Sequence, residues 1–245
     1  MRVIFLGTGG YHPNERRHTA GVLVPDLGLA FDAGTSAFRL AERVRGRDLQ
    51  IFLTHAHLDH ICGLTYLLVP LLQQELRSCQ VYGLPKTLAA VEEHLFARRV
   101  FPVRPRFDMV PLPDDVPLDG AVLTWVMLDQ HPGGSVGYRV DWAAGPSLAY
   151  ITDTYADGSY QDFIRGVDVL IHECYFPDSK REWCAQTGHS HTSQVAQLAR
   201  DSGVGRLFLT HIDPRQAGDD PVGLDSARQI FPRTWLAEDL MEIEV

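Results

Sequence analysis

Cysteine is sparse in this 245-residue sequence, and no two of its four cysteines have the CxxC spacing of a zinc or redox motif. Cys62, Cys79, Cys174 and Cys184 therefore read as free thiols in a reducing compartment, and a disulfide framework finds no support. Long apolar runs are also lacking: no stretch approaches the roughly 18 residues that a bilayer span requires. The opening run Met1–Gly7 is too short for a signal-peptide core and passes straight into a glycine turn, so a cytoplasmic protein with no membrane partner is expected. Positive charge is in deficit. With 22 Lys and Arg against 31 Asp and Glu, the net charge of −9 argues against a protein that grips long nucleic acid through a basic surface. A small phosphorylated substrate stays open, because bound cations would reverse the local sign. Low-complexity segments, linkers and short-period repeats are missing too, so residues 1–245 read as a single domain.

What is present is a series of short apolar strands, several of which end at a polar residue. Met1–Leu6 runs into Gly7-Thr8-Gly9-Gly10. Gly21–Val24 and Leu29–Asp32 flank the turn Pro25–Gly28 as a hairpin. Ser36–Val44 has helical spacing and stops at Gly46. Gln50–Thr54 is a buried-strand pattern that delivers His55, and the apolar run from His60 to Leu72 reads as a helix that Pro70 kinks or ends. Ala121–Met127, Val136–Trp142, Leu148–Thr152, Val167–Ile171 and Arg206–Thr210 are further strands. Ser190–Arg200 reads as a helix with Ser190 as its N-cap and Gly203 beyond its end. This pattern implies two mixed sheets packed together with helices outside.

Chemistry concentrates in Thr54-His55-Ala56-His57-Leu58-Asp59-His60, four ligand-type side chains within six residues. Imidazole and carboxylate together suit Zn²⁺, Mn²⁺ or Fe²⁺. His131, Asp153 and His211 have the same setting just beyond apolar strands, which brings the count to seven ligands, enough for two ions sharing one carboxylate.

His55-Ala56-His57-Leu58-Asp59-His60 resembles the HxHxDH signature of the metallo-β-lactamase superfamily. Phe31-Asp32-Ala33-Gly34 resembles the strand motif whose aspartate buttresses the metal-binding loop, and Phe5–Gly10 resembles the opening turn of the ribonuclease Z and small-phosphodiesterase branch. The likeness runs to Glu238–Ile243, nearly the whole chain. It implies an α+β/α/β fold, a four-layer αββα sandwich of two mixed β-sheets flanked by helices. It also implies two divalent metal ions per chain, with Zn²⁺ ahead of Mn²⁺ and Fe²⁺. One ion would take His55, His57 and His131, and the other Asp59, His60 and His211, with Asp153 bridging them. Two such cations acidify a shared water and stabilise charge on the attacking and leaving oxygens; Asp59 is also a candidate acceptor for the water's proton. Members of this branch are often dimers, which makes a homodimer through the apolar segment after His60 an expectation.

Gly188-His189-Ser190-His191 resembles the ribonuclease Z segment in which a histidine contacts the scissile phosphate, and His189 is the matching position. Ile171-His172-Glu173 resembles the segment whose glutamate orients that histidine. A carboxylate on one ring nitrogen fixes the tautomer and raises basicity, so Glu173 and His189 are the candidate catalytic pair. Ser190 reads as a cap and His191 as an ordinary surface group. The long tRNA-gripping arm of ribonuclease Z, which falls between the positions of His131 and Asp153, has only about twenty residues to occupy here. Gly63–Leu68 also departs from that family's usual segment. Both point to a small phosphodiester, cyclic nucleotides included, rather than to tRNA 3′-end cleavage. A lactone or thioester hydrolase would use the same ligands. A redox centre of the flavodiiron type is disfavoured by His57 and by the lack of a flavin domain. Residues Tyr11–Thr19, with His12, Arg16, Arg17 and His18, form a polar loop that either binds phosphate or is simply solvated.

Overall fold

The computed structural model of the chain describes residues 1–143, 145–216 and 218–245. They cluster into two compact units, Met1–Pro113 with Asp239–Glu244, and Asp114–Glu238 with Val245. Each unit is built on one seven-stranded mixed sheet with flanking helices. None of the described helices is long and apolar enough to cross a membrane.

In the first unit the strands are β1 (Arg2–Gly7), β2 (Gly21–Val24), β3 (Leu29–Phe31), β4 (Asp48–Phe52), β5 (Ser78–Gly83), β6 (Asp108–Pro111) and, from the far end of the chain, β14 (Glu242–Glu244). Their order is β14-β1-β2-β3-β4-β5-β6. The first three pairings are antiparallel and the last three parallel. The second unit holds β7 (Asp115–Leu118), β8 (Ala121–Leu128), β9 (Ser135–Trp142), β10 (Ser147–Ile151), β11 (Val169–Glu173), β12 (Arg206–Thr210) and β13 (Thr234–Leu236). Its order is β13-β12-β11-β10-β9-β8-β7. Counted from β7, it too has three antiparallel pairings and then three parallel ones. The two sheets thus repeat one pairing scheme.

Strands β10 and β11 are buried at every residue, which is why they read as nearly continuous apolar runs: parallel strands covered on both faces have no reason to alternate. The helix Thr192–Asp201 buries Val195, Leu198 and Ala199 in the core that also holds Leu207 and Leu209 of β12. Each large aliphatic side chain so buried contributes about 1.5–3 kcal/mol.

The local readings need five corrections. Strand β4 ends at Phe52, two residues short of Thr54, because the Thr54 backbone N–H bonds to Asp32 instead of to a neighbouring strand. The helix expected over 36–44 is a 3₁₀ segment, Thr35–Arg39, followed by one α-turn, Leu40–Arg43. The run after His60 is three short pieces, Leu58–Ile61, a 3₁₀ segment Cys62–Leu67, and Leu68–Leu72, with Pro70 in the first turn of the last, where its missing N–H costs nothing. Finally, Ser190 does not cap the helix that follows. Its hydroxyl donates to the Thr154 carbonyl at 2.7 Å and accepts the Ala156 N–H at 3.0 Å, while Asp178 takes the Ser193 N–H at 2.8 Å. Nor is His191 a plain surface group: it lies half-buried, with Nδ1 2.7 Å from the same Asp178 carboxylate.

Candidate metal centre and catalytic residues

In the first unit, the ligand-rich segment hangs from β4 and is tied to the residues that follow β3. The Ala33 N–H donates to the His60 carbonyl at 2.7 Å, and the Gly63 N–H to the Ala33 carbonyl at 2.8 Å. Gly34 is required there, since a Cβ at this position would lie 2.1 Å from the Asp59 carbonyl oxygen. Asp32 has left-handed backbone (φ 58°) and is fully enclosed. Its carboxylate accepts from the Thr54 N–H at 2.8 Å, the Thr54 hydroxyl at 3.0 Å and His60 Nδ1–H at 2.9 Å. A carboxylate cannot donate, so the His60 proton sits on Nδ1 and the ring lone pair on Nε2, the type of atom that ligates a metal. The His55 ring lies 4.3 Å from that of His60 and 4.4 Å from that of the exposed His57. Asp59 accepts the Tyr11 N–H at 2.7 Å, and its Oδ2 lies 3.4 Å from His60 Nε2.

The second unit gathers His131, Asp153, Glu173, His189 and His211. Asp153 and His211 again adopt left-handed backbone (φ 50° and 55°), just after β10 and β12. One Asp153 oxygen lies 3.2 Å from His211 Nε2 and the other 3.5 Å from His131 Nε2. His131 Nδ1 donates to the Gly188 carbonyl at 3.3 Å, which puts the ring proton on Nδ1 and the lone pair on Nε2. Asp153, His189 and His211 offer ligand atoms within 4.8 Å of one another.

These distances fit a divalent cation. Two ligand atoms each about 2.1 Å from a tetrahedral metal lie about 3.4 Å apart. The three Asp–His approaches within the units, at 3.2, 3.4 and 3.5 Å, bracket that value. They are longer than a direct charge-assisted hydrogen bond, which runs to about 2.9 Å.

His189 is placed differently. Its Nδ1 lies 2.9 Å from Oε1 of Glu173, which also accepts the Thr154 N–H at 2.6 Å, while Oε2 accepts the Ser190 N–H at 3.0 Å. Glu173 is completely buried. Burial pushes its carboxyl up, but the charge and hydrogen bond of His189, helped by His211 and opposed by Asp153, bring it below its ordinary value. Tyr175 stacks on the His189 ring at 4.4 Å and 15°. Sequence patterning did not single out Tyr175 or the Gly188 carbonyl, because neither a tyrosine two residues past a strand glutamate nor a backbone oxygen carries a signature.

The chain matches the model of the beta-lactamase superfamily domain over residues 29–212, three quarters of its length. It belongs to the beta-lactamase superfamily. Among its relatives, ribonuclease Z of Synechococcus sp. (strain WH7803) is 30% identical over 313 residues, covering 100% of this chain and 96% of that protein. Ribonuclease Z of Thermoplasma volcanium is 26% identical over 298 residues, covering 100% and 97%. The fold is also that of the metallo-beta-lactamase fold protein YhfI from Bacillus subtilis (TM-score 0.81, 20% identity, 99% of each chain). Human tRNase Z, short form, is similar as well (TM-score 0.76, 23% identity, 100% of this chain and 99% of that one).

As a member of the superfamily, the protein is a metal-dependent hydrolase, as its sequence implied. Two residues near the expected site are committed elsewhere. His172 is buried, with Nδ1 donating to the Glu173 carbonyl at 2.7 Å and Nε2 2.6 Å from the Tyr160 hydroxyl, and burial lowers its pKa. Arg17, which had read as a candidate phosphate ligand, is buried and donates to the Thr8 hydroxyl. That hydroxyl in turn donates to Asp239 at 2.8 Å, and Asp239 also takes the His18 N–H at 2.9 Å, so the 8–18 loop is anchored from the far end of the chain.

Proposed function

We propose that this hydrolase is a phosphodiesterase of small phosphodiesters, cyclic nucleotides among them, in which His55, His57, Asp59, His60, His131, Asp153 and His211 hold two divalent cations. Bound cations of this kind supply Lewis acidity, lowering the pKa of a shared water and stabilising negative charge on the phosphate, and imidazole with carboxylate suits Zn²⁺, Mn²⁺ and Fe²⁺ alike.

The observation that carries the reading is the Glu173–His189 pair. With Nδ1 committed to a buried carboxylate, Nε2 is the ring nitrogen through which His189 donates a proton. Glu173 is itself pinned by two backbone amides, so the imidazole is held in one orientation. As the phosphorus–oxygen bond to the leaving group breaks, its electron pair goes to the leaving oxygen and the His189 Nε2 proton follows. Asp59, one of whose oxygens takes the Tyr11 amide, is the acceptor for the proton of the attacking water. Asp32 acts one step back, through His60 and Thr54.

A second reading, a ribonuclease acting on tRNA 3′ ends, is favoured by the full-length likeness to ribonuclease Z. Against it, the matched relatives align over 298 and 313 residues where this chain has 245, and β9 passes to β10 through residues 143–146 alone. The deciding experiment combines metal analysis of the purified protein with turnover of bis(p-nitrophenyl) phosphate, a lactone, a thioester and a 3′-extended tRNA. About two ions per chain with metal-dependent cleavage of the phosphodiester alone is the expected result. Activity confined to the acyl compounds would overturn the substrate class and the role of His189, and efficient trimming of the tRNA would favour the second reading.

A further inference from the structure

Beside His189, the second unit has a cavity of about 400 Å³ lined by Phe176, Lys180, Trp183, Thr187 and Arg215. Phe176 belongs to both places: it lines the cavity and meets the His189 ring edge-on, with centroids 6.4 Å apart. Trp183 is 51% exposed, although an indole is usually well covered. Arg215 is clamped by the buried Asp213 carboxylate, Nε to Oδ1 at 2.9 Å and Nη2 to Oδ2 at 3.0 Å. That clamp fixes the plane of a guanidinium side chain that remains 64% exposed. Lys180 has no ion-pair partner among the described residues.

The geometry points to a leaving-group subsite for a nucleotide, with the base stacked on Trp183 and a second phosphate met by Lys180 and Arg215. This rests on the reading of His189 as the group that protonates the leaving oxygen, since the leaving alcohol must then lie on the His189 side. A purely apolar leaving group would have no use for two cations, and a bare phosphate would have none for an open indole. Base stacking on an aromatic side chain and an oriented guanidinium for phosphate oxygens are the two recognition devices that nucleotides share. The substrate class is narrowed to phosphodiesters whose leaving alcohol belongs to a nucleotide with a phosphate of its own, as in a short dinucleotide with a 5′-phosphate.

The test is calorimetric titration of the metal-loaded protein with adenosine 5′-monophosphate, ribose 5-phosphate and adenosine. The nucleotide should bind at least about ten-fold tighter than either fragment, a difference of 1.4 kcal/mol. Trp183→Ala should weaken the nucleotide about ten-fold and leave ribose 5-phosphate unchanged, whereas Lys180→Ala should weaken both phosphates. Equal binding of nucleotide and ribose 5-phosphate by the unmodified protein overturns the subsite. So does a Trp183→Ala protein of normal melting temperature that keeps its nucleotide affinity. Turnover of bis(p-nitrophenyl) phosphate, measured on the same preparation, separates the two levels. Failure of the nucleotide arms in an active phosphodiesterase removes the subsite alone, and absence of phosphodiester turnover removes the reading on which it rests.

Discussion

The Nδ1 of His189 sits 2.9 Å from a Glu173 carboxylate that is fully buried and already accepts two backbone amides. A proton donor so constrained matters most when the leaving oxygen is a poor one. His189→Ala should therefore lose about 10²–10⁴-fold in kcat with an alkyl leaving group and much less with p-nitrophenolate. Glu173→Gln should fall between the two proteins, since it keeps the shape and removes the charge. The check is a plot of log kcat against leaving-group pKa; parallel lines for variant and parent would sink the assignment.

Asp32 bonds the proposed ligand His60 directly, and it bonds Thr54, whose hydroxyl lies 3.0 Å from His55 Nδ1. Conversion of Asp32 to Asn should lower metal affinity about 10–100-fold, as removal of such supporting carboxylates generally does. Asp153→Ala and His55→Ala should lose metal and activity together. Competition with a chelating indicator, followed by metal analysis, measures both; an Asp32→Asn protein of unchanged affinity would leave the aspartate a purely structural role.

Gly188 has φ 71°, and a Cβ there would lie 2.4 Å from the Gln130 carbonyl oxygen and 2.7 Å from His131 Cα. Gly188→Ala should cost about 1–3 kcal/mol from the backbone conformation alone. The steric conflict adds to this and pushes the His131 loop outward. Urea denaturation reads the stability loss, and metal content reads the displacement.

Asp178 links the helix Thr192–Asp201 to His191. Burial pushes its carboxyl up, but hydrogen bonds from the Ser193 hydroxyl and N–H and from His191 outweigh that, and its pKa lies below the ordinary value. A depressed carboxyl pKa contributes stability that is present above the unfolded value, near 3.9, and is lost as pH falls through the lower folded value. Asp178→Ala should thus be less stable than the parent by about 0.5–2 kcal/mol near pH 6, as loss of a helix cap is. The two stability curves should converge as the pH falls below the depressed folded value. A constant gap across that range would mean that the ionised carboxylate contributes nothing.

The strongest local signal in the chain was also the most informative about chemistry. His55, His57, Asp59 and His60 lie within six residues, so their clustering needs no tertiary knowledge. The strands that deliver Asp153 and His211 were legible for a related reason: buried strands with a parallel neighbour are nearly continuous apolar runs whose ends are marked by polar residues. Strand β8, before His131, is antiparallel on both sides and was legible from its β-forming residues. Edge strands such as β6, β13 and β14 went unread, because three or four residues are too few to establish a period.

Sequence by itself thus determined the candidate ligand types, their attachment to strand ends and the family, all properties of contiguous residues. Only the tertiary structure decided the protonation geometry. That Asp32 takes the His60 Nδ1 proton, that the Gly188 carbonyl takes that of His131, and that Tyr175 stacks on His189 depend on groups brought together across 14 to 57 positions of the chain. It also decided that Asp178 rather than Ser190 serves the helix Thr192–Asp201. The physical reason is the same throughout: a hydrogen bond is fixed by distance and direction in space, and a string of residues records neither until the backbone has been folded.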